Sequence, residues 1–365
     1  MLEFFKVIFN KVLKAKVFYK ILVIMLLLLY IFLIFITTKT VNVIATYPGY
    51  ISPVGSIVSI DSNQEKGTYY TTSVLQNRNI SLIEYWLHQN NFNVDLKEFD
   101  PILDLTTAEE YIAGVYYKKN SVSKALIAAY KTANENNIDI DINFEFKGIR
   151  VTSVDKNFDN RLKVGDLIIE LNGVELVNFE QTRTIIGEIN DGDLTSEDNI
   201  SLKVVRDEIE LAVLSPAQLL ESNFYGIGIY GEAYYEVIDS TPTYSLVDDF
   251  SSTGPSGGLM QTLYIYDALT EFDLTSGLII AGTGTIEINY DPILDEYQFV
   301  TGQIGGVKQK ILTAQKNKVD VFFIPRSNYL EALEVYERIA EPTFELVSIV
   351  NLYEAIDWLE GRSNE

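Results

Sequence analysis

Thr253-Gly254-Pro255-Ser256-Gly257-Gly258 is followed, later in the chain, by Gly305-Gly306-Val307-Lys308-Gln309-Lys310, in a protein with one histidine and no cysteine. A serine nucleophile needs a base, and a neutral lysine can take its proton where histidine is missing. Leu259, Leu263, Tyr266 and Leu269 recur at helical spacing, which predicts a helix opening near Ser256. Unpaired N–H groups at such an end favour negative charge, as a serine oxygen and the oxyanion it creates require. The small residues Gly254 and Gly257 leave room for a substrate backbone. The pattern is weak by itself, because small residues before a helix are also ordinary turn chemistry. In a helix, Lys308 and Lys310 point about 200° apart, so only one of them can face the serine.

Composition removes competing chemistries. At 365 residues, with 47% apolar and 12% aromatic content, the chain can fill the cores of two or three domains. Without cysteine it has no disulfides, no thiol nucleophile and no cysteine-held metal. The one histidine, His88, cannot build a zinc peptidase motif and reads as an ordinary helix residue. No metal or other cofactor is expected. A phosphate-binding G-x-x-x-x-G-K-[ST] loop is missing, so ATP is not an expected partner. Gly282-Thr283-Gly284-Thr285 and Gly305-Gly306 read as tight turns. The formal charge of -23 has the wrong sign for a nucleic-acid backbone.

Residues 21–36, ILVIMLLLLYIFLIFI, carry no charge. The segment 17–38 is predicted to be a helix that crosses a hydrocarbon core of roughly 30 Å. Lys6, Lys11, Lys14, Lys16 and Lys20 stand against Glu3 alone, so residues 1–16 are expected in the cytoplasm and everything after the helix outside the cell. Membrane lipid is therefore an expected partner through this anchor. A cleaved secretory signal is the alternative, against which stand the length of the apolar run and the lack of a nearby small-x-small site.

Residues 39–140 hold turn signals at Pro48-Gly49 and Pro53-Val54-Gly55. Two helices follow, one over 107–117 and one starting at a Ser121 or Ser123 cap. This piece reads as a spacer packed against later domains, with no catalytic centre. Residues 141–215 contain Lys163-Val164-Gly165-Asp166-Leu167-Ile168-Ile169-Glu170-Leu171-Asn172-Gly173-Val174, a turn, a buried-type strand and an Asn-Gly hairpin turn. From Leu162 onward the phrase resembles the signature of PDZ domains. That resemblance implies a peptide groove between a strand at 149–154 and a helix at 179–189, with Gly148, Ile149 and Val151 as candidates on an exposed edge open to strand addition. A PDZ fold used only for packing, with its groove blocked, stays open. The acidic stretch 191–198 lacks the ordered ligands of a calcium loop and reads as solvated.

GPSGG (254–258), AGTGTI (281–286), IGGVKQK (304–310) and FFIPRSN (322–328) are similar, in order and spacing, to the peptidase domain of the Lon family. With the anchor and PDZ signature ahead of it, the chain resembles membrane-anchored PDZ and Lon-type serine proteases of Gram-positive bacteria, of the pheromone-processing type. The resemblance implies an α+β multidomain chain: a transmembrane helix at 17–38, a PDZ domain at 141–215 and a Lon-type proteolytic domain at 216–365. It makes Ser256 the nucleophile and Lys310 the base, with Thr283 beside them, Gly254 and Gly257 supporting the oxyanion, and Lys308 left in solvent. It also implies hydrolysis, without ATP, of secreted peptides or extracellular protein segments, a peptide pheromone among them. The chain departs from the family at Gly257, where alanine is commoner, at Thr253, where an acid is common, and at 287–299, which is longer. A catalytically silent PDZ-bearing scaffold is the alternative, favoured by an exposed, charged Lys310. Catalysis requires Lys310 to be dry, since burial can lower a lysine pKa by up to about 3–5 units.

Overall fold

The computed structural model describes residues 16–61, 68–101, 104–157, 161–191, 198–219, 225–247, 253–270, 273–291, 293–294 and 296–363. The expected cytoplasmic residues before 16 and most of the acidic stretch 191–198 lie outside this set. The chain forms two compact units, one of Met1–Tyr47 with Leu75–Phe99 and one of Pro48–Val74 with Asp100–Glu365.

The first unit contains α1 (Val17–Thr38), a 22-residue helix long and apolar enough to cross a membrane. The start of β1 (Val43–Pro53) pairs antiparallel with β4 (Asp95–Glu98) at Val43 to Thr46. Helix α2 (Leu82–His88) opens on a capping box, in which Ser81 Oγ accepts the Glu84 N–H and the Glu84 carboxylate accepts the Ser81 N–H. His88 ends that helix with its ring edge-on to Tyr47, 5.3 Å between centroids.

In the second unit β3 (Tyr69–Arg78, which belongs to this unit up to Val74), β14 (Ile280–Gly282), β17 (Val321–Pro325) and β18 (Glu345–Ile349) run parallel, with β1 beside β3. The side chains of β17 alternate between two cores. Val321 and Phe323 pack with buried residues of α3 (Thr107–Asn134), α5 (Gly258–Leu269) and α8 (Leu352–Ser363). Phe322 and Ile324 pack with Val307, Ile311 and Ala314 of α6 (Val307–Asn317) and with Ala332 and Val335 of α7 (Tyr329–Tyr336). A parallel sheet needs such cover on both faces, which explains why its strands are short continuous apolar runs. Strand β2 (Val58–Ile60) pairs with β13 (Tyr244–Leu246), and β15 (Thr285–Asp291) forms a hairpin with β16 (Glu296–Gly302). That hairpin contains the 287–299 segment, and Ile293 at its tip is 91% exposed.

The expected spacer is corrected. Residues 39–140 supply β1, β3 and α3 to this body, and α3 is one 28-residue helix where two were expected. Ser121 caps nothing: its hydroxyl donates to the Pro255 carbonyl at 3.0 Å, while Ala125, Leu126, Ala128 and Ala129 lie buried on the same helix.

The boundary expected at 215/216 also moves. A second sheet has the order β12-β5-β6-β8-β9, made of β12 (Ile229–Thr241), β5 (Asp141–Val154), β6 (Leu167–Leu171), β8 (Asn199–Arg206) and β9 (Ile209–Pro216). Short β7 (Val174–Glu175) pairs with β6 across the turn where Asn172 and Gly173 take φ of 49° and 80°. Helix α4 (Phe179–Asp191) contributes Ile185 to this sheet's core. Strand β12, expected in the following domain, is an edge strand here, joined through the short pair β10 (Gln218–Leu219) and β11 (Tyr225–Gly226).

Asp166 of the signature is 1% exposed and gripped by Arg206, whose Nε and Nη2 lie 2.7 Å from its two oxygens. Removing one partner of such a pair strands the other charge. Arg206→Met is expected to destabilise this sheet by about 3–5 kcal/mol. Amide exchange along the ladder of β6 with β8 would accelerate accordingly, and Arg206→Lys would recover part of the loss.

Candidate active site and peptide groove

Ser256 lies in the turn before α5, half-buried, with Gly257 as the N-cap residue. The turn is held from three sides. Gly254, at φ 100°, uses a conformation open to glycine and donates its N–H to the Gly114 carbonyl of α3 at 3.1 Å. Ser121 holds Pro255, and the Ser256 carbonyl accepts both the Gly284 N–H at 2.8 Å and the Thr283 hydroxyl at 3.1 Å. Among the described residues, the N–H groups of Ser256 and Gly257 have no acceptor. They are the donors such a turn can offer to an oxyanion.

Lys310 sits one turn into α6, 3% exposed, and its Nζ donates to Thr283 Oγ1 at 2.9 Å. Thr283 therefore joins the two stretches quoted at the outset, accepting from the lysine and donating to the serine's carbonyl. Burial pushes the Lys310 pKa down to about 7, with no carboxylate to offset it. The contrast with Lys124 of α3 is instructive. Burial opposes that charge too, but Glu287 at 2.9 Å and Glu232 at 3.3 Å override it and hold its pKa above the ordinary lysine value. Of these two buried lysines, only Lys310 can be substantially neutral near pH 7. Lys308 is partly exposed, on a different side of α6.

Gly257 has its own local cause. A Cβ there would lie 3.0 Å from the Thr71 methyl, so that methyl occupies the space an alanine would use. Thr283→Val keeps shape while removing both hydroxyl bonds. In a peptidase working through this site, that change would lower kcat/KM by about 10–100-fold, mostly in kcat, with Thr283→Ser recovering most of it.

The groove candidates are corrected. Gly148, Ile149 and Val151 lie on β5, an interior strand paired with β12 on one side and β6 on the other. Gly148 is required by packing, since a Cβ there would sit 2.2 Å from the Ile168 carbonyl oxygen. Val151 is in the core, and Ile149 lines a cavity. That cavity, about 530 Å³ and largely apolar, lies between β12 and α4, lined by Ile229 and Tyr230 from one and by Thr182, Arg183 and Ile186 from the other. Tyr225-Gly226-Ile227-Gly228 also lines it. The alternation of glycine with apolar residues in that segment was the available signal, obscured because the stretch follows the expected end of the domain.

No family model matches the chain. A 102-residue match, 33% identical and covering 26% of this chain, is found with the E3 ubiquitin-protein ligase PDZRN3 of Mus musculus and with that of Homo sapiens. The chain spans only 8% of the length of those relatives. Among solved structures, the PDZ domain of an SdrC-like protein from Listeria monocytogenes is 20% identical, with 24% of this chain and 88% of that one covered, at a TM-score of 0.21. A PDZ domain of an SdrC-like protein from Listeria innocua gives 20% identity, 23% and 93% coverage, and 0.21.

Proposed function

We propose that this chain is a single-pass, membrane-anchored serine endopeptidase that works without ATP through Ser256 and Lys310. The observation that carries the reading is the buried Lys310 amine, at a pKa of about 7, bonded to the Thr283 hydroxyl that also holds the Ser256 backbone. A silent scaffold would gain nothing from an uncompensated buried lysine, which costs stability whenever it is charged.

In this mechanism neutral Lys310 takes the Ser256 hydroxyl proton as Oγ bonds to the substrate's carbonyl carbon. The N–H groups of Ser256 and Gly257 hold the resulting oxyanion. The Lys310 ammonium then gives its proton to the leaving amine as the C–N bond breaks, leaving an acyl-enzyme. Water attacks that ester, Lys310 takes the water's proton and returns it to Ser256 Oγ, and the acid product leaves. The positively charged intermediate form of Lys310 is stabilised by Thr283 alone among the bonds described here.

The groove between β12 and α4 is proposed to receive an extended peptide by strand addition, which brings substrate to the same body as the dyad. The expected substrates are secreted peptides or extracellular segments of membrane proteins, a peptide pheromone among them, met outside the cell. The test is hydrolysis of a pool of unstructured peptides by the full chain in detergent. Cleavage lost in Ser256→Ala supports the reading; peptide binding with no cleavage by the unaltered protein supports the scaffold.

A further inference from the structure

We propose that Asn120 of α3 sets the length of peptide the groove can hold, by occupying the edge of β12 where a longer strand would have to pair. The inference rests on the groove reading given above. Asn120 is 1% exposed; its Nδ2 donates to the Ala233 carbonyl at 2.8 Å, and its Oδ1 accepts the Tyr235 N–H at 3.1 Å. Backbone groups on a strand point to alternate sides. Gly228 and Tyr230 turn their carbonyls towards β5, the first accepting the Asp155 N–H at 2.8 Å and the second the Thr152 hydroxyl at 3.2 Å. The outward set is therefore Ile229, Gly231, Ala233 and Tyr235. Asn120 takes the carbonyl of Ala233 and the N–H of Tyr235.

What remains is Ile229, which lines the cavity, and Gly231, the next outward residue along the strand. Two outward residues two positions apart bond to partner residues two apart, so an added strand is held over about three to four residues. Beyond them α3 stands in its path, fixed there by the Asn120 amide and by Lys124, which binds Glu232 of β12. The occupant is a short extended segment of polypeptide, with the chain beyond it leaving the edge. A groove on an uncovered edge strand would instead add bonds with every two residues supplied.

The test uses the full chain with Ser256→Ala, so that bound peptide is not turned over. Fluorescent peptides of two to ten residues sharing one apolar carboxyl-terminal sequence are titrated by anisotropy. Affinity should rise to about four residues and then stay level. In Asn120→Ala, which frees Ala233 and Tyr235, it should go on rising to about six. Because that variant disturbs a buried polar contact, an amide-to-ester scan of one eight-residue peptide is run on the protein with Asn120 intact. Esters that remove an N–H facing the β12 edge should cost about five- to tenfold each and those beyond the paired segment nothing measurable, in line with one hydrogen bond apiece. Affinity that climbs past six residues with Asn120 present, or ester losses spread along the whole peptide, overturns the proposal while leaving the groove. Absence of binding at every length overturns the groove reading as well.

Discussion

Replacing Lys310 with methionine is expected to abolish peptide hydrolysis, lowering kcat/KM by at least about 10³-fold, as does Ser256→Ala. The two losses should match and should not add, because each variant removes half of one proton-transfer unit. Methionine fills the volume of this 3%-exposed lysine without its charge, so the site stays packed and a folding defect is not the cause. Lys310→Arg should be equally inactive, since a guanidinium does not give up its proton. Lys308→Ala should retain nearly full activity. Kinetics of all four variants on one peptide, with melting curves alongside, check this.

The second large effect is on pH. With Lys310 titrating at about 7, kcat/KM should rise tenfold per unit below that value and level off above it. Stability moves in the same direction. The folded-state pKa is lowered from 10.5 to about 7, so between those values the unfolded chain holds a proton that the folded chain has released. Wild-type stability relative to Lys310→Met must therefore increase with pH across that window, by about 1.4 kcal/mol per unit. Below about pH 7 both states are protonated and the penalty of burying the ammonium is complete. The difference between the two proteins, measured at matched pH, removes the contribution of the many other groups.

The residues of the proposed dyad could be singled out because they fall in short local stretches. Glycines ahead of a helix, a serine among them and a lysine three places after Val307 are features that a short stretch can carry. The helix at 258, the hairpin turn at Asn172-Gly173 and the apolar span at 17–38 were legible for the same reason, since each depends on periodicity or on a residue tolerant of positive φ. What failed depended on partners distant in the chain. Ser121 looks like a cap until Pro255 appears beside it, and Gly148 looks like an entrance to a groove until Ile168 is seen pressed against it. The parallel sheet borrows β1 and β3 from far upstream, a pairing that no local pattern announces. β12 was read on the wrong side of a domain boundary for the same reason, and the groove was misplaced with it.

The most direct test of the dyad is labelling of the full chain with a serine-directed phosphonylating reagent at a series of pH values, with the adduct located by peptide mass spectrometry. The account predicts one adduct, on Ser256, forming at a rate that rises through about pH 7 and falls to background in Lys310→Met. A Ser256 that labels equally fast without Lys310, or that stays unlabelled while the protein is folded, would contradict it.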